Sequence, residues 1–281
     1  MQYKLSPNAM IRPLSLGFCW VFPETEPEEG LRRLQEAGFD GIELWPDRLR
    51  QWGVARWAAA LQATGMRCLQ LCPYFDFMKG EPSLEKSRAD LAEFLEAAAA
   101  LDCARLRVFT GPPWGEGVVG AREATERQWG DAIAGLREFC DRAAARNVEL
   151  CLECHEGSLM EDAPATRRLL DGVARPNLTT NLQLPLLHEP WTASLAALAA
   201  TTTHIHIHNW TQGLGEGEMT YLSEGVFDWR PVVRTILKEG RGTLTLSVEH
   251  ANHGGHHEPW ETARRDGPWL NALRDELLGT A

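Results

Sequence analysis

VELCLECHE, residues 148–156, alternates strictly: Val148, Leu150 and Leu152 fall on one parity, Cys151, Glu153 and His155 on the other. A strand sends successive side chains to opposite faces. Extended, this segment has one greasy face and one face ending in residues that transfer protons or bind metals. Two more segments share the pattern. In THIHIHNW (203–210), Ile205 and Ile207 alternate with His204, His206 and His208. In TLTLSVEH (243–250), Leu244, Leu246 and Val248 alternate with Thr245, Ser247 and Glu249. Such strands suit a parallel barrel, in which helices cover the outside and chemistry sits at the carboxyl ends of the strands.

Strands and helices alternate along the rest of the chain, as βα units require. Strand 1 is expected over roughly 13–20, strand 2 in FDGIELW (39–45), strand 3 in MRCLQLCPY (66–74), strand 4 in ARLRVFTG (104–111) and strand 6 in NLTTNLQL (177–184). The apolar parity predicts Leu14, Leu16, Phe18, Ile42, Leu44, Leu69, Leu71, Leu106 and Val108 outward. Ser15, Gly17, Cys19, Glu43, Trp45, Cys68, Gln70, Cys72, Arg107, Thr179, Asn181 and Gln183 then face inward. Helices are expected near 27–37 and 54–64, closed by Gly38 and Gly65, and over 84–101, 121–146, 162–173, 191–200 and 228–239. The stretch 258–281 is the closing helix and 1–11 an N-terminal tail. The expectation is an α/β fold, a single (β/α)8 TIM barrel spanning 1–281 as one domain.

Composition narrows the function classes. With 44% hydrophobic and 24% charged residues the chain is an ordinary globular one. A net charge of -11 opposes broad contact with a phosphate backbone. No apolar run approaches the roughly 20 residues that cross a bilayer, and MQYKLSPNAMIRP lacks the apolar core of a signal peptide. A cytoplasmic location is therefore expected, with no nucleic-acid or membrane partner and a homo-oligomer left open. Seven cysteines, an odd count, do not suggest a disulfide framework. Cys151 and Cys154 form a CxxC, but three residues apart on a strand they face opposite ways, so burial is the better reading.

The inward residues nearest the later strand ends are Glu153 and His155, Asn181 and Gln183, His206 and His208, and Glu249. Two carboxylates, an imidazole and an amide oxygen suit Mn²⁺, with Co²⁺ or Mg²⁺ as alternatives. A divalent ion there offsets the repulsion between the two glutamates. The bland alternatives are a structural salt bridge from a glutamate to Arg107 and a hydrogen-bonded core histidine at His206. Glu43 is either a buried anchor or a substrate contact. Trp20, Trp45, Trp114 and Trp210 fall at or just after strand ends, either as packing or as flat apolar walls of a pocket. His250, His253, His256 and His257 fit no standard metal spacing, although His253 is a candidate substrate contact. The loop TQGLGEGEMTYLSEG (211–225) is either a lid or ordinary surface.

These residues carry a resemblance. LECHEGSLMED (152–162), HIHIHNW (204–210), LSEGVFDW (222–229), LSVEH (246–250) and GFDGIELW (38–45) together resemble the xylose-isomerase-like sugar phosphate isomerase/epimerase family. The resemblance implies an eight-stranded barrel with a divalent metal held by residues matching Glu153, His206 and Glu249. On strand 6 the family has Asp followed three residues later by His; here Asn181 and Leu184 stand at those positions. Gln183, nearer the strand end, is favoured over Asn181 as the fourth ligand, which leaves His155, Asn181, His208 and Arg107 to contact substrate with Trp20, Trp45 and Trp114. The implied chemistry is proton transfer beside the carbonyl of a small-molecule carbohydrate, through an enediolate, with Glu153 and Glu249 exchanging the proton. A dehydratase or lyase acting through the same enediolate is the runner-up. A metal-free, partner-dependent subunit and a DNA endonuclease are readings from other classes.

Overall fold

Eight short strands close into a barrel in the computed structural model, which describes residues 12–112, 114–249 and 257–279. They are β1 (Leu14–Cys19), β2 (Gly41–Leu44), β3 (Arg67–Leu71), β4 (Arg105–Val108), β5 (Glu149–Glu153), β6 (Leu178–Gln183), β7 (Thr202–Ile207) and β10 (Leu244–Val248). All pair in parallel, in the order β1-β10-β7-β6-β5-β4-β3-β2. The outward residues Leu16, Ile42, Leu150, Leu152, Ile205 and Leu246 are fully buried beneath the helices. Each such side chain contributes about 1.5–3 kcal/mol by leaving water.

The helices follow local signals. In α1 (Pro27–Glu36), proline opens the first turn and Glu28 and Glu29 face the positive end of the helix dipole. α3 (Val54–Thr64) closes on Gly65 at φ +68°, a left-handed conformation that favours glycine. α5 (Glu126–Ala144) opens with a reciprocal capping box between Thr125 and Gln128, which moves its start from the expected 121 to 126. α4 (Glu81–Ala100), α6 (Ala163–Val173), α7 (Trp191–Leu198), α8 (Arg230–Glu239) and α9 (Pro259–Leu278) lie close to expectation. A short helix that the periodicity does not reveal, α2 (Pro46–Trp52), follows β2 directly, started by its proline.

Two bulges reset the expected parity. Ile42 pairs with Cys68 but Glu43 pairs with Gln70, so Leu69 is an extra residue. Leu69 points inward against Gly17 and Gly41, correcting its outward assignment, while Cys68 turns away from the interior toward Cys103. Gly41 permits this close approach, because a Cβ there would meet the Arg67 carbonyl oxygen at 2.3 Å. A second shift, between Thr180 and Asn181, makes Thr203 the extra residue on β7, with its hydroxyl on Thr179. Both bulges leave the residues beyond them on the expected face, and these are the residues that build the site.

The expected strand through Trp210 and the loop after it take a different form. β7 ends at Ile207, and β8 (Asn209–Trp210) pairs antiparallel with β9 (Met219–Thr220) in a small ribbon. Asn209 pins the return of this segment through the carbonyls of Leu222 and Phe227. Asp266 of α9 accepts from the Leu222 amide at 2.8 Å. Its second oxygen is buried without a hydrogen-bond partner, and burial pushes the carboxyl up to about 7. An unfolded aspartate deprotonates near its ordinary value of about 3.9, below the folded one, so stability falls as pH rises between the two. Asp266→Asn keeps the acceptor for Leu222 and holds no charge. Its stability advantage over wild type is therefore expected to grow by about 1.4 kcal/mol per pH unit across that interval, read from urea midpoints at pH 5, 6 and 7.

Candidate active site at the barrel mouth

The barrel interior is filled by polar side chains in a connected series. The inner of the two imidazoles is His204, whose Nε2–H donates to Glu43 Oε1 at 2.9 Å while Nδ1 accepts from Arg105 Nη1 at 3.3 Å. Burial holds His204 below the ordinary histidine range, Glu43 opposes that effect and Arg105 reinforces it. Its two neighbours thus orient the ring, with Nε2 toward Glu43 and Nδ1 toward Arg105.

Glu43 sits at the centre of the interior, fully buried. Its Oε1 accepts from His204, and its Oε2 accepts from Gln70 Nε2 at 2.8 Å and lies 3.3 Å from His206 Nε2. The Cys19 and Cys72 thiols also point to it. Burial opposes its charge, but the two imidazoles outweigh burial and hold the carboxyl well below the usual range. Of the two readings open from sequence, Glu43 takes that of a buried anchor. The two inward histidines of β7 were the sequence signal for such an acceptor; Arg105, on the inward parity of β4, closes the series from below.

His206 links this anchor to the strand ends. Its Nδ1 lies 3.3 Å from Glu153 Oε1 and 3.3 Å from Glu249 Oε1. The three ligand atoms lie within 4.8 Å of one another, and Cys19, Glu43 and His206 form a second such group more deeply buried. Burial disfavours a charged His206, but Glu249, Glu43 and Glu153 together raise its pKa well above the ordinary value. The outer oxygens of the two glutamates are held differently. Glu153 Oε2 accepts from Arg107 Nη1 at 2.6 Å, whereas Glu249 Oε2 accepts from the neutral Gln183 amide at 2.7 Å. Burial penalises the Glu153 charge, and Arg107 and His206 overcome it, so its carboxyl lies below the ordinary range.

Gln183 and Asn181 lie on different sides of His206. Gln183 reaches Glu249, on the carboxylate side; Asn181 Nδ2 lies 3.0 Å from His206 Nε2, on the Glu43 side. The side-chain oxygens of both amides are buried without hydrogen-bond partners. An imidazole nitrogen, two carboxylates and a buried amide oxygen together suit a divalent cation of the Mn²⁺ or Mg²⁺ type.

The other expected site residues spread around the mouth. Arg107 is buried, its guanidinium 4.5 Å from the Tyr74 and Phe109 ring centres, and it also donates to the Cys72 carbonyl. His155 and the exposed Trp114 stand edge-on to Phe109 and to each other. His208 is buried beside Trp210, and its carbonyl accepts from Trp229. Trp20 is buried against Trp57, whereas Trp45 is half-buried at the start of α2. Cys151 faces Thr203 inside the barrel and Cys154 faces Thr166 of α6, on the opposite sides that strand parity predicts. His250, His253 and His256 lie outside the described residues.

A family model described as xylose isomerase-like TIM barrel matches residues 31–273. Among curated proteins, none matches this chain. Solved structures share the fold at low identity. D-allulose 3-epimerase from Methylomonas sp., in complex with D-allulose, is 19% identical with a TM-score of 0.73, over 93% of this chain and 98% of that one. The probable 3-DHS dehydratase AsbF from Bacillus anthracis is 19% identical with a TM-score of 0.72, over 92% and 98%. A xylose isomerase-like TIM barrel protein from Mycobacterium smegmatis, in complex with magnesium, is 14% identical with a TM-score of 0.68, over 95% and 98%. Among the described residues no helix is long and apolar enough to cross a membrane.

Proposed function

The chain belongs to the xylose isomerase-like TIM barrel family, and from that premise we propose that it is a divalent-metal-dependent isomerase or epimerase of a sugar or sugar derivative, acting by proton transfer through an enediolate. The observation that carries this reading is the convergence of Glu153 and Glu249 on one face of His206, each at 3.3 Å, at the mouth of the barrel. The magnesium and D-allulose complexes of the structural relatives support a divalent cation and a sugar as substrate class.

Glu153, His206, Glu249 and Gln183 would hold the metal, Mn²⁺ by preference. When bound it polarises the carbonyl of a hydroxy-ketone and offsets the charge that develops on oxygen. Glu249, whose outer oxygen accepts from the Gln183 amide, removes the proton beside the carbonyl; Glu153, whose outer oxygen is tied to the Arg107 guanidinium, is its counterpart in the proton exchange. Return of the proton to the opposite face of the same carbon is epimerisation, and return to the neighbouring carbon is isomerisation. His155, His208 and Asn181 orient hydroxyls, and Trp114 offers the sugar a flat face. Loss of a β-hydroxyl after the same first step makes a dehydratase, the second reading, which the likeness to the 3-DHS dehydratase favours.

The proposal is tested by incubating the Mn²⁺-loaded protein in D₂O with ketoses and keto-sugars. Deuterium is expected at a carbon beside the carbonyl, seen as loss of a proton resonance, with or without net conversion. Absence of exchange across the panel contradicts the reading. The fourth ligand has its own test. Gln183→Ala is expected to weaken Mn²⁺ binding by about 10–100-fold, and Gln183→Glu to tighten it by adding an anionic oxygen. Titration calorimetry reads both. If Asn181→Ala weakens binding and Gln183→Ala does not, the assignment moves to Asn181.

A further inference from the structure

A cleft of about 550 Å³ opens beyond the carboxyl ends of β1, β2 and β3, lined by Trp20, Trp45, Asp47, Arg48, Arg50 and Tyr74 among others. The proposed chemistry lies on β5, β7 and β10, of which β10 borders β1 in the closed barrel. The two regions meet at Tyr74. Its ring lines the cleft and lies 4.5 Å from the Arg107 guanidinium, which donates to Glu153. The cleft is thus one ring-on-guanidinium layer from a reacting carboxylate. Its volume falls within the range of whole small-molecule sites, about 300–1,000 Å³.

The lining chooses the ligand class. Two aromatic side chains, Trp45 and Tyr74, are half-buried with part of their surface in solvent. Flat apolar walls with a few polar groups suit a polyhydroxylated ring, which presents apolar C–H faces and a hydroxyl rim. A phosphate is poorly served. Arg50 is committed to both Glu93 oxygens at 3.0 and 2.9 Å, with Asp90 at 3.6 Å. Arg48 engages Gln51 at 2.9 Å and Asp47 at 3.5 Å. Asp47 also occupies the first turn of α2, where its charge opposes an anion at the helix start.

We infer that this cleft binds a neutral second ring, so that the substrate is a glycosylated keto-sugar rather than a single phosphorylated ring. The inference rests on the carbohydrate reading above and adds to it the size and charge of the substrate. The reacting ring sits over Glu153, Glu249 and His206. The second ring passes Tyr74 and stacks on Trp45.

The test compares dissociation constants of D-fructose, D-fructose 6-phosphate and three glucosyl- or galactosyl-fructoses, namely maltulose, isomaltulose and lactulose. Mn²⁺-loaded protein is used, in titration calorimetry. At least one disaccharide is expected to bind about tenfold tighter than D-fructose, with the phosphate ester no tighter than D-fructose. In Trp45→Ala the tenfold ratio falls to about one, and Trp45→Phe, which keeps a stacking ring, retains most of it; thermal melting checks that both variants fold. The inference is overturned if no disaccharide outbinds D-fructose, if the ratio survives Trp45→Ala, or if the phosphate ester binds tightest. D-fructose binding without a disaccharide gain defeats this inference alone. Failure of every sugar to bind defeats the carbohydrate reading with it.

Discussion

Glu249→Gln and Glu153→Gln are each expected to lower turnover by about 10²–10⁴-fold, the range that a positioned acid or base supplies. Glutamine keeps the shape of the side chain and one oxygen toward His206, but it cannot accept the substrate proton. The two variants should part company in stability. Glu249 is partly exposed, and the buried His206 that it faces keeps Glu43 and Glu153 beside it, so its replacement is expected to cost less. Glu153 is buried and neutralises the equally buried Arg107. Its replacement strands that guanidinium, at a cost of about 3–5 kcal/mol. Steady-state rates with urea melts on the same preparations check both halves. Wild-type turnover in either variant removes that glutamate from the mechanism.

Glu43→Ala is expected to destabilise the fold by about 3–5 kcal/mol without removing any group that touches substrate. The loss follows from what Glu43 holds. His204, His206 and Gln70, all buried, lose an anionic partner at once. Glu43→Gln keeps the volume and one acceptor oxygen and should recover part of the loss, which a cavity-filling Glu43→Leu should not. Chemical denaturation of the three variants separates the hydrogen-bonding contribution from packing. A Glu43→Leu protein as stable as Glu43→Gln contradicts the anchor role.

The barrel was legible because parity is a local property. Leu150 and Leu152 against Glu153, or Leu246 and Val248 against Glu249, need no neighbouring strand to be assigned a face. What the period of two does not carry is an inserted residue. The bulges at Leu69 and Thr203 depend on how one strand meets the next, and in the first case on a glycine at position 41 that lets the Arg67 backbone approach. The pairing of β8 with β9 is likewise non-local, formed across a glycine-rich turn and held by Asn209 and Asp266. In the candidate site, residue types and faces were visible in sequence, but the division of labour was not. Glu43 and Glu249 are both inward glutamates after an apolar residue. Depth alone separates them, since one is enclosed by imidazoles and thiols and the other reaches the mouth. The two amides of β6 differ in the same way, with Asn181 turned to the inner nitrogen of His206 and Gln183 to Glu249.

The central claim, a divalent metal held between Glu153, His206 and Glu249, is tested most directly by counting metal. The protein is purified without chelator or affinity tag, dialysed against Mn²⁺ and then against metal-free buffer, and measured by mass spectrometry. Close to one equivalent per chain is predicted for the wild type and none for a Glu153→Ala/Glu249→Ala double variant that still folds. A wild-type protein that retains no metal, or a double variant that keeps its equivalent, contradicts the account.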